Sequence, residues 1–458
     1  MILQAWNRLR HRVHARPKQK EKQKQKQCAQ VTSAVAQSGS KHVFAHFIVG
    51  NAAEMTPQQW ESDIQQAKDA HIDGFALNIA AKDPNTDGIL QNAYAAAEAV
   101  GDFKLFLSFD YEAEGPWPMD SVIAKINTYK NSTAQFRFQN KPLVSTFEGT
   151  GNVDDWPKII EATGISFIPC WTSLGPSGLV SALKIVDGFF SWDAWPVGAE
   201  DITTSSDEAW IAALSGKPYM MPVSPWFYTN LPQWNKNWLW RGDDLWHDRW
   251  QHVIEMQPDL VEIITWNDYG ESHYIGPVYE AGIPEGASRY VNNNPHDSWR
   301  TLLPYYIDAY KSGNQSTTTP EEDIITYWYR PNPSSAGSAG GTTGNNPAMG
   351  QPVMAPGKVS QDKVFVTVLV QEPSQVTVQI GSEGTPTTLD ANHAGINHFS
   401  VPFNGQTGPV SLAIVRDGKT VVSTTGPAIT TECTDGLVNW NAIVGSAKPS
   451  NTTVDKTV

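Results

Sequence analysis

Residues 42–50 read HVFAHFIVG, a nearly continuous apolar run that ends in glycine. Because a strand inside a parallel sheet is covered on both faces, it is apolar along most of its length rather than alternating. The sequence therefore predicts a buried parallel strand here. Seven further runs of this kind follow, at residues 74–80 (GFALNIA), 104–110 (KLFLSFD), 143–149 (LVSTFEG), 166–172 (SFIPCWT), 188–196 (GFFSWDAWP), 219–225 (YMMPVSP) and 260–266 (LVEIITW).

The segments between these runs are predicted to be helices. The first begins at Thr56, a good N-cap residue, with Pro57 in the first helical position. Eight strand–helix units within residues 41–325 predict a (β/α)8 TIM barrel. A doubly wound α/β sheet is the alternative, although the Gly-rich first turn of that fold does not follow Ile48. The other predicted helices lie at residues 92–100, 119–129, 153–162, 177–185, 206–214, 243–256 and 298–311.

Three flanking regions differ from the barrel in composition. Residues 1–40 form a basic, Gln-rich segment without apolar periodicity, which predicts a disordered tail. Residues 326–360 are rich in Pro, Gly, Ser and Asn and are predicted to be a linker or long loop. Residues 361–458 contain short β-rich runs without helices, which predict an antiparallel, β-sandwich-like accessory domain. That domain could buttress the barrel or bind carbohydrate.

The charge distribution limits the possible ligands. The net charge is −14, although the first 30 residues hold nine Lys and Arg and one Glu, so the remaining chain is strongly acidic. An acidic surface repels nucleic acid and anionic membranes, whereas a neutral sugar polymer is unaffected. No run of 18 apolar residues exists, and the first 30 residues lack the apolar core of a secretory signal. We therefore expect a monomer that binds neither nucleic acid nor membranes.

Polar and aromatic residues are concentrated at the predicted strand ends, where barrel enzymes place their active residues. Residues 226–241 (WFYTNLPQWNKNWLWR) are predicted to be a loop whose four Trp residues stack on sugar rings. The alternative is that these aromatic side chains fill space under the loop and that the acids bind backbone amides. The predicted substrate-binding residues are His46, Asn78, Asp110, Tyr111, Glu148, Trp171, Asp193, Trp195, Trp226, Trp266 and Asn267.

Residues 265–273 (TWNDYGESH) contain two acids three positions apart, Asp268 and Glu271, with Gly270 between them to permit a sharp turn. Glycoside hydrolysis requires one carboxylic acid to protonate the leaving oxygen and a second carboxylate to activate water or attack the sugar. The alternative is an N-cap and a first-turn acid of a following helix. The spacing leaves inversion and retention both open. No His-x-His pair, phosphate loop or Gly-x-Ser-x-Gly elbow occurs, so no metal or other cofactor is expected.

Five motifs occur in a familiar order: KHVFAHFIVG at 41–50, GFALN at 74–78, LSFDY at 107–111, STFEG at 145–149 and TWNDYGES at 265–272. With them the chain resembles the fungal α-1,3-glucanases, or mutanases, of glycoside hydrolase family 71. The resemblance implies endo-hydrolysis of the cell-wall polymer α-1,3-glucan with inversion. It also implies that Asp268 and Glu271 form the catalytic pair. We expect Glu271 to be the general acid and Asp268 the base that activates water, with the reverse order as the alternative. The residues that grip or distort the sugar would be His46, Asn78, Asp110, Glu148 and Asp193.

The resemblance implies secretion or a place in the cell wall, whereas the basic start of the chain makes an intracellular location the alternative. Two other functions stay open. One is a glucan-binding protein without catalysis, and the other is a hydrolase of a different α-glucan. The intact pair of acids speaks against the first, and a panel of substrates separates the second.

Overall fold

The computed structural model describes residues 41–313 and 320–449. The predicted tail, residues 1–40, lies outside this range. All eight predicted parallel strands are present. The strands of the first part of the chain are β1 (His42–Ile48), β2 (Gly74–Ala80), β3 (Lys104–Asp110), β4 (Arg137–Phe138), β5 (Lys141–Phe147), β6 (Ser166–Phe167), β7 (Phe189–Phe190), β8 (Tyr219–Val223), β9 (Tyr228–Leu231), β10 (Lys236–Leu239) and β11 (Leu260–Ile263).

Eight of these strands form one curled parallel sheet in the order β6, β5, β3, β2, β1, β11, β8, β7. The last strand of the set, β11, therefore pairs with the first, β1, as a ring requires and a doubly wound sheet does not. Two backbone hydrogen bonds connect the β6 and β7 regions. They run from Asp187 N–H to the Phe167 carbonyl (2.8 Å) and from Phe190 N–H to the Pro169 carbonyl (3.0 Å). β6 is shorter than predicted, although hydrogen bonds to β5 continue beyond it, from Ile168 N–H to the Val144 carbonyl and from Cys170 N–H to the Thr146 carbonyl (both 3.1 Å).

Helices follow most of the strands. The first has the predicted cap: Thr56 Oγ1 accepts from Gln59 N–H, and the Gln59 side chain accepts from Thr56 N–H. Its start at Pro57 is confirmed. The helices of this part of the chain are α1 (Pro57–Asp69), α2 (Thr86–Val100), α3 (Met119–Tyr129), α4 (Trp156–Thr163), α5 (Gly175–Ala182), α6 (Ser205–Leu214), α7 (Leu245–Met256), α8 (Ser288–Val291) and α9 (Leu303–Ser312).

The sheet has a different core on each face. The outer face packs against the helices, as where Phe47 of β1 stacks on Trp60 of α1 with ring centroids 4.6 Å apart. The inner face forms a smaller cluster drawn from the strands and the segments that follow them. Its members include Phe44, Ala76, Phe106, Leu143, Met220 and Leu260. The sheet is covered on both of its faces, which explains why its strands are apolar along most of their length.

The segment predicted to be an aromatic loop, residues 226–241, is instead a β-hairpin of β9 and β10. Leu231 pairs with Lys236 and Tyr228 pairs with Leu239. The prediction of a loop was wrong because the aromatic residues obscure the alternation: Trp238 and Phe227 form a buried cluster with Trp240. Three of the four Trp residues in the broader segment are thus buried, and Trp234 at the hairpin turn is exposed.

The C-terminal part contains two four-stranded antiparallel sheets. The strands are β12 (Ile324–Tyr329), β13 (Lys363–Val370), β14 (Ser374–Ile380), β15 (Thr387–Ala391), β16 (Gly395–Pro402), β17 (Gly408–Arg416), β18 (Lys419–Ile429) and β19 (Ile443–Ala447), with a short helix α10 (Pro356–Val359). The strand orders of the two sheets are β16–β13–β12–β19 and β15–β14–β17–β18, and the sheets share a core that includes Val366, Val378 and Leu412. The sequence did not predict β12, β15 or β19 as strands of this region, and β12 lies across the predicted boundary at residue 325.

The two parts of the chain are joined by buried contacts. Trp226 Nε1 donates to the Trp440 carbonyl (3.1 Å), and Trp328 Nε1 donates to the Asp243 carbonyl (2.7 Å). Trp328 and Trp440 also belong to the large cluster that covers the outer face of the curled sheet. The C-terminal sheets therefore complete the core of the first part of the chain.

A chain that ends at Pro331 is expected to be insoluble or aggregated, because the truncation removes Trp440 and β13 and exposes apolar surface that they cover. The measurement is the soluble fraction after expression, followed by size-exclusion chromatography. A soluble, monomeric truncated chain that has lost only its retention on insoluble glucan would contradict this expectation and would indicate a binding role for the C-terminal sheets.

Candidate active site

The turn after β11 carries the two predicted catalytic acids. Asp268 N–H donates to Thr265 Oγ1 (2.9 Å), and Glu271 N–H donates to Asp268 Oδ1 (3.1 Å), so each acid is fixed by its own turn. Asp268 thus makes the hydrogen bond of an N-cap, but no helix begins at residues 269–279. Gly270 was predicted to permit the sharp turn, and this reason is wrong. The residue with a positive φ is Ser272 (62°), while Gly270 leaves room for Leu231 and Pro284.

The acid side chains lie close together at the surface of the sheet. One oxygen from each of Asp268 and Glu271 and one ring nitrogen of His273 lie within 4.8 Å of one another. Glu271 Oε1 lies 2.8 Å from Lys236 Nζ, and Glu271 Oε2 lies 3.0 Å from His273 Nε2. The Glu271 side chain is 16% exposed and therefore only partly shielded from solvent, whereas His273 is fully buried.

His273 is itself held in place by the same turn. Its Nδ1 lies 3.1 Å from Thr265 Oγ1. An ionised carboxylate can only accept, so the proton between His273 and Glu271 belongs to Nε2, which leaves Nδ1 to accept from the Thr265 hydroxyl. A neutral imidazole satisfies both contacts.

The surroundings drive the pKa values of the two acids apart. Burial raises the pKa of Asp268, and the negative charge of Glu271 raises it further. Burial acts on Glu271 in the same direction, but the Lys236 ammonium and the His273 hydrogen bond outweigh it and hold the pKa of Glu271 below its usual value. A pair of carboxyls with separated pKa values is what acid–base catalysis requires. Of the two carboxyls, Asp268 is the one whose surroundings favour the protonated form, and Glu271 is the one that two hydrogen-bonding partners keep ionised.

Asp268, Glu271 and His273 also have the composition of a metal-binding group. The Lys236 ammonium argues against this reading, because it already contacts Glu271 at 2.8 Å and would repel a cation bound there. An ammonium also offers no lone pair to a metal. The arrangement therefore fits acid–base chemistry better than metal coordination.

A layer of polar side chains lies on the inner face of the sheet beside the acid pair. His46 is on the same face of β1 as Phe44 and contacts Glu262 of β11, with Nδ1 and Oε1 2.7 Å apart. Asn78 Nδ2 donates to Asp110 Oδ2 (3.3 Å), and the backbone N–H groups of residues 112 and 113 donate to Asp110 Oδ1. Burial raises the pKa values of both Asp110 and Glu262. The structure thus brings His46, Asn78 and Asp110 together.

Glu148, at the end of β5, has a strained backbone with φ of 51°. Its carboxylate accepts hydrogen bonds from the Ser173 backbone N–H (3.0 Å) and from the Ser173 hydroxyl. Burial raises the pKa of Glu148 to about 7. Gly149 follows with φ of 95°, and a Cβ there would lie 2.5 Å from the Tyr111 ring. A positive φ at a residue other than glycine costs stability. Such strained residues are found more often at functional sites than elsewhere.

The family model of glycosyl hydrolase family 71 matches residues 39–457. The chain belongs to this family. The family named from the five motifs is thereby confirmed, and so is the prediction that the protein is a glycoside hydrolase.

Three fungal relatives are similar to this family 71 chain along most of its length. It is 38% identical over 424 residues to the glucan endo-1,3-alpha-glucosidase agn1 of Schizosaccharomyces pombe, which covers 89% of this chain and 95% of the relative. It is 38% identical over 434 residues to a mutanase of Penicillium rubens, with coverage of 91% and 92%. It is 27% identical over 421 residues to the ascus wall endo-1,3-alpha-glucanase of Schizosaccharomyces pombe, with coverage of 86% and 93%.

The remaining predicted site residues form packing contacts and hydrogen bonds with other residues of this family 71 protein. Trp171 and Tyr111 belong to the cluster on the outer face of the sheet, and Trp266 donates there to Asp63 Oδ2 (2.7 Å). The Asn267 side chain is hydrogen-bonded to the backbone of Ile48. Its Oδ1 accepts from the Ile48 N–H (2.8 Å), and its Nδ2 donates to the Ile48 carbonyl (3.0 Å). Asp193 accepts from the Ser206 hydroxyl and from Trp210 Nε1 (2.7 Å).

Trp195 and Trp226 are the last two predicted site residues, and they are hydrogen-bonded to each other. Trp195 Nε1 donates to the Trp226 carbonyl (2.9 Å), and the Trp195 ring lies 5.5 Å from the His273 ring. Trp226 is buried and donates to Trp440. Trp195 thus lies beside the acid pair, whereas Trp226 links the hairpin region to the C-terminal part.

Three residues of the candidate site were not selected from the sequence: Lys236 and His273, which contact Glu271 directly, and Glu262, which contacts His46. Trp192, at the end of a predicted strand, packs edge-on against His46 with centroids 4.9 Å apart. Two of the three unselected residues could have been recognised from the sequence. Glu262 is a lone acid inside an apolar strand, and His273 stands two positions after Glu271. Lys236 had no signal, because its contact depends on the hairpin.

Proposed function

We propose that this family 71 enzyme hydrolyses internal α-1,3-glucosidic linkages of α-1,3-glucan, with Asp268 as general acid and Glu271 as general base. The names of two relatives at 38% identity support the substrate and the linkage. The observation that carries the roles is the Lys236–Glu271–His273 contact, since Lys236 and His273 contact Glu271 directly and stabilise its charged form more than that of Asp268. This reverses the order of roles that we expected from the sequence.

The reaction follows from these positions. The glucan lies across the turn, and the Asp268 proton passes to the glycosidic oxygen as the bond to the anomeric carbon breaks. Glu271 takes a proton from a water molecule, whose oxygen bonds to the anomeric carbon. One new reducing end and one new non-reducing end result, and both carboxyls return to their starting states after proton exchange with solvent.

We also propose that the reaction inverts the configuration at the anomeric carbon. The nearest oxygens of Asp268 and Glu271 lie within 4.8 Å, whereas inverting pairs lie roughly 6.5–9.5 Å apart to admit a water. Inversion therefore requires the Asp268 carboxyl to move away from Glu271, whose carboxylate Lys236 and His273 hold, when sugar and water enter. Retention would require Glu271 to attack the sugar itself. The anomer formed first distinguishes the two.

We extend the proposal to the architecture and the location. The hydrogen bonds from residues 187 and 190 to the β6 region support closure of the curled sheet as a (β/α)8 barrel. The shared core of the two antiparallel sheets supports a β-sandwich-like accessory domain after residue 360. A relative named for the ascus wall supports action on a cell wall outside the cell. Among the described residues, no helix is long and apolar enough to cross a membrane.

Product analysis on insoluble α-1,3-glucan tests the function. We expect a ladder of gluco-oligosaccharides, and proton NMR at early times should show the β-anomer at the new reducing ends. An α-1,4-glucan measured in parallel should release little sugar. Release from the α-1,4-glucan alone would contradict the linkage, and binding to α-1,3-glucan without any product would show a binding protein. An α-anomer as first product would contradict inversion while leaving hydrolysis intact.

A further inference from the structure

The β9–β10 hairpin is fastened directly to the catalytic turn. Tyr228 N–H donates to the Glu271 carbonyl (3.0 Å), so the first strand of the hairpin contacts the backbone of the acid itself. On the other side, Leu239 N–H donates to the Thr343 carbonyl (3.0 Å), and Asn237 Nδ2 donates to the Gly340 carbonyl (3.0 Å). The hairpin is thus held from both sides. A rigid element is suited to place one side chain accurately.

Lys236 is the side chain that the hairpin places at the acid pair. Its Nζ lies 2.8 Å from Glu271 Oε1, and its side chain is 25% exposed. The ammonium also faces the carboxylates of Asp268 and Asp110. A half-buried ammonium loses hydration, and here the nearby carboxylates compensate for that loss. Lys236 thus contacts Glu271 directly and also interacts with the charges of Asp268 and Asp110.

We propose that Lys236 is a positioning residue for catalysis, which fixes the orientation and the negative charge of the Glu271 carboxylate so that Glu271 can activate water. The inference rests on the proposed function, since it needs Glu271 to act as the base. Lys236 and His273 hold one oxygen each, at 2.8 Å and 3.0 Å, so the carboxylate cannot rotate freely. A bond to each oxygen defines the plane of the group.

The charged groups that face Glu271 come from several elements. His273 and Asp268 belong to its own turn, Lys236 comes from β10, and Asp110 at the end of β3 acts on the Lys236 charge. Arg289 of α8 bonds the hydroxyl of Tyr228, the residue whose N–H contacts the Glu271 carbonyl. Without Lys236, His273 is left as the direct partner of the Glu271 carboxylate, and burial still disfavours its charge. The pKa of Glu271 must then rise.

The sign of the pH effect follows. Glu271 acts as a base only when it is deprotonated, so its pKa sets the acidic limb of the kcat/KM profile. Removal of an opposite charge at this distance raises a carboxyl pKa by roughly 1–3 units. The acidic limb should therefore move to higher pH by about that amount. Below the shifted limb, activity should fall about tenfold for each pH unit.

The experiment compares Lys236→Met with Lys236→Arg and with a matched control, Lys311→Met. Lys311 pairs with Asp73 at 2.8 Å, and their side chains are 29% and 27% exposed, which resembles the Lys236 pair, but this contact is not near the acids. The readouts are kcat and KM on a soluble α-1,3-gluco-oligosaccharide from pH 3 to 8, and the thermal transition. We expect the limb to shift in Lys236→Met, with loss mainly in kcat, and to be restored in Lys236→Arg. Lys311→Met should keep the wild-type profile.

Several results would overturn the inference. An unshifted limb in Lys236→Met would do so, and so would a loss confined to KM, which would mean that Lys236 only grips the sugar. Loss of the thermal transition in both Lys236→Met and Lys236→Gln would show a structural role. The variant Glu271→Gln distinguishes a failure of the inference about Lys236 from a failure of the proposed function. If Glu271→Gln is inactive while Lys236→Met has the wild-type profile, only the role of Lys236 is refuted.

Discussion

Replacement of Glu271 by Gln is expected to lower kcat on α-1,3-glucan by a factor of about 10²–10⁴, because the amide cannot take a proton from water. The fold should persist, since Gln keeps the shape of Glu and an oxygen that can accept from Lys236 Nζ. The measurement is reducing-sugar release over time, together with the thermal transition of the variant.

A matched control for this change is Glu98→Gln. Glu98 lies on α2, where its carboxylate accepts from the Ser132 hydroxyl (2.6 Å), away from the catalytic turn. This variant should hydrolyse glucan at the wild-type rate. Wild-type turnover in Glu271→Gln would refute the catalytic assignment. Inactivity in both variants would point to a general effect of the substitution rather than to the turn.

Replacement of Asp268 by Asn is expected to cause a comparable loss on glucan, but one that depends on the leaving group. The general acid is needed because a sugar hydroxyl is a poor leaving group, and a nitrophenolate leaves without protonation. We therefore expect Asp268→Asn to regain much of the lost rate on a dinitrophenyl α-1,3-gluco-oligosaccharide. Glu271→Gln should stay slow on both substrates, because activation of water is still required.

The same pair of substrates tests the order of the roles. Should Glu271→Gln be the variant that recovers on the aryl substrate, Glu271 is the acid and Asp268 the base, as we expected from the sequence. Recovery in neither variant would mean that the acid resides elsewhere. Asp110 is the next carboxyl to examine in that case, since it faces Lys236 and burial raises its pKa.

The parallel strands could be predicted because burial on both faces leaves a clear mark on the sequence. Phe44 and Phe47 point to opposite sides of β1, yet both are fully buried. The strand β15 left no such mark, since most of Thr387–Ala391 is exposed or half-buried. β12 was missed for another reason. Its residues are apolar enough to suit the barrel, and only pairing with β13 and β19 places it in the C-terminal sheet.

The candidate site was predictable only where its geometry is local. Asp268 and Glu271 are joined by a turn of three residues, so their spacing sufficed to bring them together. Lys236 lies 35 residues from Glu271, and its contact depends on the register of a hairpin that the sequence did not reveal. Trp266 shows the opposite failure. It ends a predicted strand, but its side chain points toward α1 and Asp63 on the outer face.

The hydrogen bonds between Asn267 and Ile48 join residues that are 219 positions apart. The Trp266 N–H also donates to the His46 carbonyl (2.8 Å), so the turn that carries Asp268 and Glu271 is fastened at two points to β1. Closing so long a stretch of chain is slow and yields nothing until it is complete. Under the proposed function, hydrolysis therefore requires these long-range contacts, because the two acids are not held in place until β1 and the end of β11 have met.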